Sequence, residues 1–478
     1  MTRPLAAVLL LALTACSRKA PTCAPARRAT SGECCATWTL PEAGACLSRP
    51  WSMPVAGEAT GTPGARLRGL ALGGIGGLGI AVWEVALPGR PTVEVGEETS
   101  PGRWASHNPT QGLEGADAAP AVAAGPDGAA LVSWVHRGGG TSGVVASERA
   151  PSGAWREPAP GEVRSFAPGG IEPWAAVAPT GEQFLVWCQQ TGTGWGVSVA
   201  HRASAAAGWE MPRGAEDVVS PAILFANQPQ IAVNAGGDAL VAWYQSEGVP
   251  LMTYLSERRG PAGTFSRPGP REYVSAFGAP VDSDPVANPK PALGPRGEAA
   301  VVWVQENGAG ATPVYVATRD ASGAWTKPRD LGDAFSRVGG VARSAQAAFG
   351  PGGELYVIWA QRDAPGNAIL AARRGADGRW INGGREAVRL SSLERDAWGP
   401  TLAVGPEGGV IAAWVEGWAK RDERIAVRRT GGDRPAWEAL EWLSGAGHAG
   451  APLAAMGPRD RTVVGWVSAG RVVFARVE

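Results

Sequence analysis

The chain has 478 residues, with 68 glycines, 40 prolines and 21 tryptophans, and its formal net charge is zero. Zero net charge argues against a nucleic-acid-binding surface, which needs a stripe of basic residues. Length alone would predict two or three domains, but a repeat that runs along most of the chain predicts one large ring instead.

Residues 1–15 have the pattern of a targeting segment. Arg3 supplies a charged start, and residues 5–13 form an apolar stretch that is too short to span a bilayer. The stretch ends in Leu13-Thr14-Ala15-Cys16, which resembles the lipobox of bacterial lipoproteins. The resemblance implies cleavage before Cys16, acylation of that cysteine and, with Ser17 next, anchoring in the outer membrane. An ordinary secretory signal is the alternative.

Residues 16–35 are polar and rich in Arg, Pro and Ala, which is typical of a tether. Cys23, Cys34, Cys35 and Cys46 cluster in and just after this segment. An exported compartment permits disulfides, and four cysteines allow three pairings. The alternative is a metal site, but no His lies nearby and the spacing is not that of two Cys-x-x-Cys pairs. Cys188 stands alone, as a small buried residue would.

From residue 36 onward the chain repeats a unit whose second strand ends in a tryptophan that is expected to be buried. Apolar residues alternate with period two, and Gly/Pro clusters separate the runs, so each unit is predicted to be made of strands. Such self-similarity indicates a propeller, a solenoid or an array. The repeated tryptophans follow one another every 51 to 60 residues: Trp83, Trp134, Trp187, Trp243, Trp303, Trp359, Trp414 and Trp466.

Four strands are predicted in each unit. The first carries a repeated Ala, and a Gly-Pro-x-Gly turn such as Gly294-Pro295-Arg296-Gly297 leads to the second. A third strand ends in Arg, and a fourth begins with a second Trp, as at Trp325. Because the first strand is apolar on both faces, small residues on one and large on the other, it is expected to be buried between wedge-shaped blades. The repeated Ala is found at Ala71, Ala123, Ala176, Ala232, Ala292, Ala348, Ala403 and Ala455.

The predicted fold class is therefore all-β, a single propeller over residues 36–478. About eight four-stranded blades are expected, with seven as the alternative if the copy around Trp83 packs differently. The eighth copy stops after three strands. A strand near residues 36–41 is expected to complete it by pairing near residues 471–476, with residues 45–50 as the rival segment. Closure of this kind would remove exposed strand edges.

The turn between the third and fourth strands carries an acidic residue and a Trp in two copies, Asp320-Ala321-Ser322-Gly323-Ala324-Trp325 and Asp377-Gly378-Arg379-Trp380. This turn resembles the Asp-box of sialidase-like, or BNR-repeat, propellers. The resemblance implies the propeller fold. It does not extend to catalysis, since the chain has no Arg-Ile-Pro motif and no tyrosine in a nucleophile context. No catalytic residue, cofactor or metal ligand is predicted.

Residues that recur in every unit are expected to serve the fold, whereas polar residues that vary at one position are free to serve a ligand. The recurring arginines that end the third strands are predicted to stack on tryptophans or pair with carboxylates. A second series lies two residues after each repeated Trp and is mostly Gln, which predicts hydrogen bonds to backbone. His136 and Glu416 depart from that series and remain candidates for a functional role.

The start of the first strand varies most. Because this start and the end of the second strand meet at one mouth of a propeller, variable polar and aromatic groups there are typical of a ligand site. Ordinary solvated loop ends are the alternative. Two carboxylates in the preceding connection, Asp282 and Asp284, give only a weak calcium signal. The predicted ligand-binding residues are Glu172, Trp174, Gln228, Gln230, Asn288, Lys290, Asp396 and Trp398.

Three functions are compatible with these patterns. The first is a non-catalytic propeller, anchored by lipid to the outer membrane, that binds envelope protein or glycan and no nucleic acid. The second is a sialidase-like glycan hydrolase or lyase with Glu172, Asp396 or Glu416 among its carboxylates. Clustering of those acids would favour the enzyme and dispersal the binder. The third is a purely structural envelope component.

Overall fold

The structure is a computed structural model, and it describes residues 39–42, 45–48 and most of 61–477. Gaps in that last stretch fall at 75, 88–89, 111–114, 139–140, 158–166, 193, 222–224, 247–250, 277–288, 308, 338, 364–365, 419–421 and 432–435. The chain divides into two units, Met1–Trp51 with Val477 and Ser52–Arg476 with Glu478. None of the helices in the described part is long and apolar enough to cross a membrane.

In the first unit, strand β1 (Thr39–Glu42) pairs antiparallel with strand β2 (Ala45–Ser48). The two segments that competed as closing strands therefore pair with each other. Among the described residues the last sheet has three strands and lacks the predicted fourth. Local pairing closes a loop of two residues, and this costs far less chain entropy than pairing with the other end of the sequence. Residues 36–38, like Cys16, Cys23, Cys34 and Cys35, lie outside the described residues.

The second unit is a β-propeller built from eight successive meanders, here called repeats 1 to 8. Repeats 1 to 4 contain β3 (Ala65–Gly73), β4 (Leu78–Val85), β5 (Thr92–Ser100) and β6 (Arg103–His107); β7 (Ala116–Ala124), β8 (Ala130–Gly138), β9 (Thr141–Arg149), β10 (Trp155–Arg156) and β11 (Ala167–Pro168); β12 (Ile171–Val177), β13 (Gln183–Gln190) and β14 (Trp195–Arg202); and β15 (Phe225–Val233), β16 (Ala239–Ser246) and β17 (Leu251–Arg258).

Repeats 5 to 8 continue the pattern. They contain β18 (Lys290–Leu293), β19 (Ala299–Val304), β20 (Val314–Arg319) and β21 (Trp325–Thr326); β22 (Ala342–Phe349), β23 (Leu355–Asp363), β24 (Gly366–Arg374), β25 (Trp380–Asn382) and β26 (Val388–Arg389); β27 (Asp396–Val404), β28 (Gly409–Gly417), β29 (Arg424–Gly431) and β30 (Glu441–Trp442); and β31 (Leu453–Met456), β32 (Thr462–Ser468) and β33 (Arg471–Val477). Within the described residues, short 3₁₀ helices lie at Leu331–Asp333, Gly384–Glu386 and Pro458–Asp460.

The second strand of each repeat forms the core. All eight repeated tryptophans are buried, at 0 to 2% exposure, as predicted. The Gly-Pro-x-Gly turn precedes this strand; in repeat 2, Gly128 N donates to Gly125 O at 3.0 Å and has φ 87°. Of the large residues of the first strand, Ile231 is buried at 6% exposure, whereas Val122 and Leu402 are only half-buried. The expectation of burial on both faces therefore holds only in part, because in most repeats the first strand is the terminal strand of its sheet among the described residues.

The fourth strand is weaker than the predicted one. It has five residues in repeat 1 and two or three in repeats 2, 5, 6 and 7, and repeats 3, 4 and 8 lack it among the described residues. In repeat 3 a single bridge between His201 and Glu210 takes its place. The Trp of this segment docks its indole against the preceding repeat, as described below, so side-chain contacts replace part of the hydrogen-bond ladder.

Hydrogen bonding divides the described residues of the propeller into seven sheets, so the all-β propeller class is confirmed and the sheet count matches the alternative of seven. Repeats 3 and 4 share one six-stranded sheet, joined through a single parallel pair, Trp195 and Phe225. Each first strand packs beside the first strand of the next repeat, and β31 packs beside β3. The first strands therefore form a closed inner ring.

Side chains close the ring between repeats 8 and 1. Arg476 pairs with Glu98, and both side chains are buried. Phe474 stacks on Trp104 with ring centroids 3.7 Å apart, and Gly64 N donates to Gly470 O at 2.9 Å. A seam of hydrophobic and ionic contacts thus joins repeats 8 and 1, the closure for which the sequence pattern predicted an N-terminal strand.

Candidate functional site

Charged clamps join neighbouring repeats. Arg149 Nε donates to Glu97 Oε1 of the preceding repeat at 3.0 Å, and Trp155 Nε1 donates to Glu97 Oε2 at 2.9 Å. Burial raises the pKa of Glu97, but the hydrogen bonds from Arg149 and Trp155 outweigh burial and leave the pKa below its usual value. The clamp therefore holds Glu97 as a carboxylate.

The same clamp recurs in other repeats. Arg202 pairs with Glu148, and its guanidinium lies 4.6 Å from the centroid of Trp209. Arg319 and Trp325 share Glu257 in the same way. The prediction that the recurring arginines stack on tryptophans or pair with carboxylates is confirmed at these positions, so these arginines serve the ring.

The polar series that follows the repeated Trp also serves the fold. Trp243 Nε1 donates to Gln245 Oε1 at 2.9 Å, and Gln245 Nε2 donates to Pro221 O at 3.0 Å. The two departures from the series act similarly. Glu416 accepts from Trp414 Nε1 at 2.7 Å. His136 and Trp134 share the buried carboxylate of Asp117.

Within the described residues, the first strands of repeats 1, 2, 3, 4, 6 and 7 are interrupted by a bulge near their start. In five of these repeats the bulge contains a residue with φ between 48° and 60°. Such a backbone favours glycine, yet four of these residues carry side chains, which is a local strain. Neighbouring repeats stabilise two of them: Gln228 N donates to Glu172 Oε2 at 2.7 Å, and Ala119 N donates to Glu84 Oε1 at 2.8 Å. The five residues are Ala119, Glu172, Gln228, Ser344 and Gly399.

Equivalent positions on three consecutive first strands, β12, β15 and β18, carry Trp174, Gln230 and Lys290. Each lies two residues before the repeated Ala of its strand. Trp174 is 36% exposed, Gln230 is buried and Lys290 is half-buried. The ammonium of Lys290 lies 5.6 Å from the centroid of the Trp174 ring, so the two side chains meet across β15. The structure thus brings together two predicted site residues from repeats 3 and 5.

Lys290 has no anionic partner among the residues that the structure describes. The strands β15, β16 and β19, which pack against β18, carry no acidic residue, and β22 contributes only Arg343 as a charge. Burial without a compensating anion lowers the pKa of Lys290 to about 8. At pH 7 the side chain is still mostly an ammonium, and an anion placed beside it would gain from its charge.

Asp396 and Trp398 do not occupy the position of Glu172 and Trp174. The bulge of β27 falls between Trp398 and Thr401, so Thr401 is the equivalent of Trp174. Trp398 is half-buried, and Asp396 Oδ1 accepts from Asn367 N at 2.5 Å. Asp396 and Trp398, predicted to belong to the same site, therefore lie three residues earlier in their strand than Glu172 and Trp174 lie in theirs. Asn288 and the pair Asp282 and Asp284 lie outside the described residues.

The acidic candidates do not form one cluster, and each is already engaged. Glu172 lies in repeat 3, whereas Asp396 and Glu416 lie on the paired strands β27 and β28 of repeat 7, one residue apart in register and so on opposite faces of the sheet. Each accepts a backbone N–H: from Gln228 for Glu172, from Asn367 for Asp396 and from Ser392 for Glu416. Within the described ranges, no group of three or more His, Cys, Asp or Glu residues could hold a metal ion.

Cys188 is fully buried beside the Glu172 carboxylate. Its Sγ lies 3.7 Å from Glu172 Oε2 and 3.4 Å from Ala226 O. Burial raises the pKa of the thiol, and the neighbouring Glu172 carboxylate raises it further. The thiol is therefore neutral and unreactive, in agreement with its interpretation as a small core residue.

The meeting of Trp174 with Lys290 was not anticipated from the sequence. The available signal was the count back from the repeated Ala, which places both residues at one register. The structural role of Gln346 was also missed: its amide bonds Leu402 N and Pro400 O of the next first strand, each at 3.0 Å. At this register a glutamine can therefore hold the ring together.

No protein-family model matches the chain, and no curated protein matches it. Solved structures with a similar fold include an ulvan lyase from a new polysaccharide lyase family bound to -[GlcA(1-4)Rha3S]-, 12% identical over 72% of this chain and 89% of that one, with a TM-score of 0.44. The Hadza microbial sialidase is 14% identical over 73% of each chain, with a TM-score of 0.36. An α-L-arabinanase from Penicillium chrysogenum, complexed with arabinobiose, is 11% identical over 65% of this chain and 93% of that one, with a TM-score of 0.38. These likenesses are too distant to carry an argument about activity.

Proposed function

We propose that the propeller is a non-catalytic binding module for an envelope protein or glycan. The observation that supports it is the Lys290–Trp174 pair at the start of the inner strands, where a flat indole is 36% exposed beside an ammonium without an anionic partner among the described residues. Tryptophan is enriched at binding hot spots. Gln228, held by Glu172, lies on the strand between the two residues and contributes an amide.

A glycan-active enzyme is the alternative function. Glycosidases use two carboxyl groups roughly 5 to 10 Å apart that are free to exchange protons or attack the sugar. The dispersal of Glu172, Asp396 and Glu416 over two distant repeats, with each bonded to backbone, favours binding over catalysis. Loss of a measured hydrolase or lyase activity in Glu172→Gln or Asp396→Asn would reverse this preference.

The binding test compares two exposed apolar residues. Trp174→Ala should weaken capture of an oligosaccharide panel or of envelope components by about 30-fold, the equivalent of a hot-spot loss of about 2 kcal/mol. Ile381→Ala, at a 61% exposed position on the outer strand β25, is the control. Unchanged thermal melting must accompany the loss. Equal capture by wild type and both variants would remove the support for this site.

The module is also proposed to be lipid-anchored in the outer membrane through Cys16. The support is the Leu13-Thr14-Ala15-Cys16 sequence directly after the apolar stretch. Cys16→Ser should abolish palmitate labelling and move the protein from the membrane fraction to the soluble fraction. A variant that stays membrane-bound with unchanged labelling would contradict the anchor.

A further inference from the structure

We propose that the Lys290–Trp174 pair recognises an acidic sugar within a glycan, a hexuronate whose ring stacks on the indole while its carboxylate pairs with the ammonium. This inference rests on the proposed binding function and names its ligand class. It is separate from the clamp arginines and from the Trp–Gln series, all of which are engaged in holding the repeats together.

The first argument is electrostatic. Lys290 is half-buried, and even partial burial of a charge is costly unless the charge is paired. The strands that pack most against β18 carry no acidic residue. The described contact of Lys290 is the Trp174 ring, at 5.6 Å from the ring centroid. A cation–π contact compensates only part of the desolvation of an ammonium. A ligand carboxylate would complete the compensation.

The shape of the site is suited to a sugar ring. Trp174 offers a flat apolar face, and no other repeat carries an aromatic side chain at the equivalent position, which is Gly69, Ala121, Gln230, Lys290, Gln346, Thr401 or Leu453. On β15, the strand between those of Trp174 and Lys290, Gln228 Oε1 is buried without a hydrogen-bond partner. A pyranose supplies what these groups lack, namely apolar C–H groups for the indole and hydroxyl donors for the amide oxygen.

A neutral sugar would leave the ammonium uncompensated, and an acidic peptide would present a flexible carboxylate without a ring for the indole. A hexuronate carries the ring, the hydroxyls and the carboxylate in one rigid unit, so its three interactions are pre-organised. The observations therefore favour an acidic glycan over both.

The test titrates the full-length protein, purified in mild detergent, with three probes. Tetraglucuronate with β-1,4 linkages and cellotetraose differ only at C6, which is a carboxylate in one and a hydroxymethyl group in the other. Tetraglutamate is the peptide probe. Wild type should bind tetraglucuronate at least about tenfold more tightly than cellotetraose, because a charge-assisted hydrogen bond to the carboxylate contributes a tenfold gain in affinity or more. Tetraglutamate should bind more weakly still.

Variants assign the selectivity. Lys290→Met should reduce tetraglucuronate binding to the cellotetraose level, whereas Lys327→Met, at an exposed lysine after β21, should leave it unchanged. Trp174→Ala should weaken both saccharides. Equal binding of the two saccharides by wild type, full retention of selectivity in Lys290→Met, tetraglutamate as tight as tetraglucuronate, or no binding of either saccharide would each overturn the inference.

The outcome can be separated from the fate of the proposed function. If Trp174→Ala abolishes capture of envelope components while wild type shows no preference for the uronate, the binding module stands and the acidic-glycan inference falls. If neither Trp174→Ala nor Lys290→Met changes capture of any component, the proposed function falls as well.

Discussion

Two sets of positions recur along this propeller: the clamps, and the inner register, which is the position two residues before the repeated Ala of each first strand. The clamps keep the same residue types where they recur, whereas the inner register does not. At the clamps, a Glu of one repeat receives an Arg and a Trp of the next, as Glu97 receives Arg149 and Trp155. At the start of the first strands the side chains differ from repeat to repeat. Residues that recur are bonded to the fold, so the positions that vary are where function can be sought.

The inner register itself has two sides. In repeats 6 and 7 it serves the ring: Gln346 bonds the backbone of β27, and Thr401 Oγ1 accepts from Ala454 N at 3.3 Å. In repeats 3 and 5 the equivalent residues, Trp174 and Lys290, contact each other instead. Variation alone therefore does not mark a ligand site. The proposed site rests on variation together with a contact between side chains in place of a described bond to the next strand.

The largest expected effect is on the seam that closes the ring. Glu98→Gln should lower the free energy of unfolding by about 3 kcal/mol or more, because the buried guanidinium of Arg476 loses its counter-charge. Gly79 N and Gly102 N also donate to the Glu98 carboxylate, at 3.0 and 2.6 Å. Urea unfolding measures the loss, and uronate selectivity of the folded fraction should not change.

The matched control is Asp333→Asn, which breaks the exposed pair between Arg329 and Asp333. Exposed pairs contribute little, so its melting temperature should equal that of wild type. Equal unfolding midpoints for Glu98→Gln and Asp333→Asn would show that the seam does not hold the ring closed.

Lys290→Met should raise the free energy of unfolding, whereas Glu98→Gln lowers it. Burial lowers the folded pKa of Lys290 from 10.5 to about 8, so at pH 7 the folded state bears a penalty that Met removes. Allowing for partial exposure, the gain in unfolding free energy is about 2 kcal/mol. Between pH 8 and 10.5 the unfolded chain binds more protons than the folded one, so Lys290 makes wild-type stability rise with pH in that window.

The advantage of Lys290→Met over wild type should therefore shrink between pH 8 and 10.5, and urea unfolding at several pH values measures it. Lys327→Met serves as the reference because that lysine is exposed. A constant difference between Lys290→Met and wild type from pH 7 to 10.5 would contradict the burial of an uncompensated ammonium.

The smallest expected effect concerns the bulge. Ser344→Gly should stabilise the fold by about 0.5 to 1 kcal/mol, because glycine adopts the left-handed backbone at φ 54° without strain. The larger conformational entropy that glycine loses on folding offsets part of this stabilisation. Repeat 7 already has Gly399 at the equivalent position. Ala347→Gly, on the same strand without positive φ, should instead destabilise. Thermal melting distinguishes the two, and destabilisation by both would argue against strain at the bulge.

Much of the fold follows from local pattern. The repeated tryptophans, the Gly-Pro-x-Gly turns and the arginines at the third strands recur at fixed offsets, so one copy predicts the others. The closure does not recur and was therefore misassigned, since the seam at Glu98 and Arg476 depends on a contact between distant residues. The inner register was predictable by counting from Ala176 and Ala292, but matching by appearance placed Trp398 there instead of Thr401.

The seam between Glu98 and Arg476 also has a kinetic consequence. Each meander joins residues close in sequence and can form early, whereas the seam joins residues 378 positions apart and must wait for the whole chain. A ring with one late contact opens most readily where it closed last. In native-state hydrogen exchange, we expect the amides of β3 and β33 to exchange before those of β16 or β19, so the circle has a built-in place to begin unfolding.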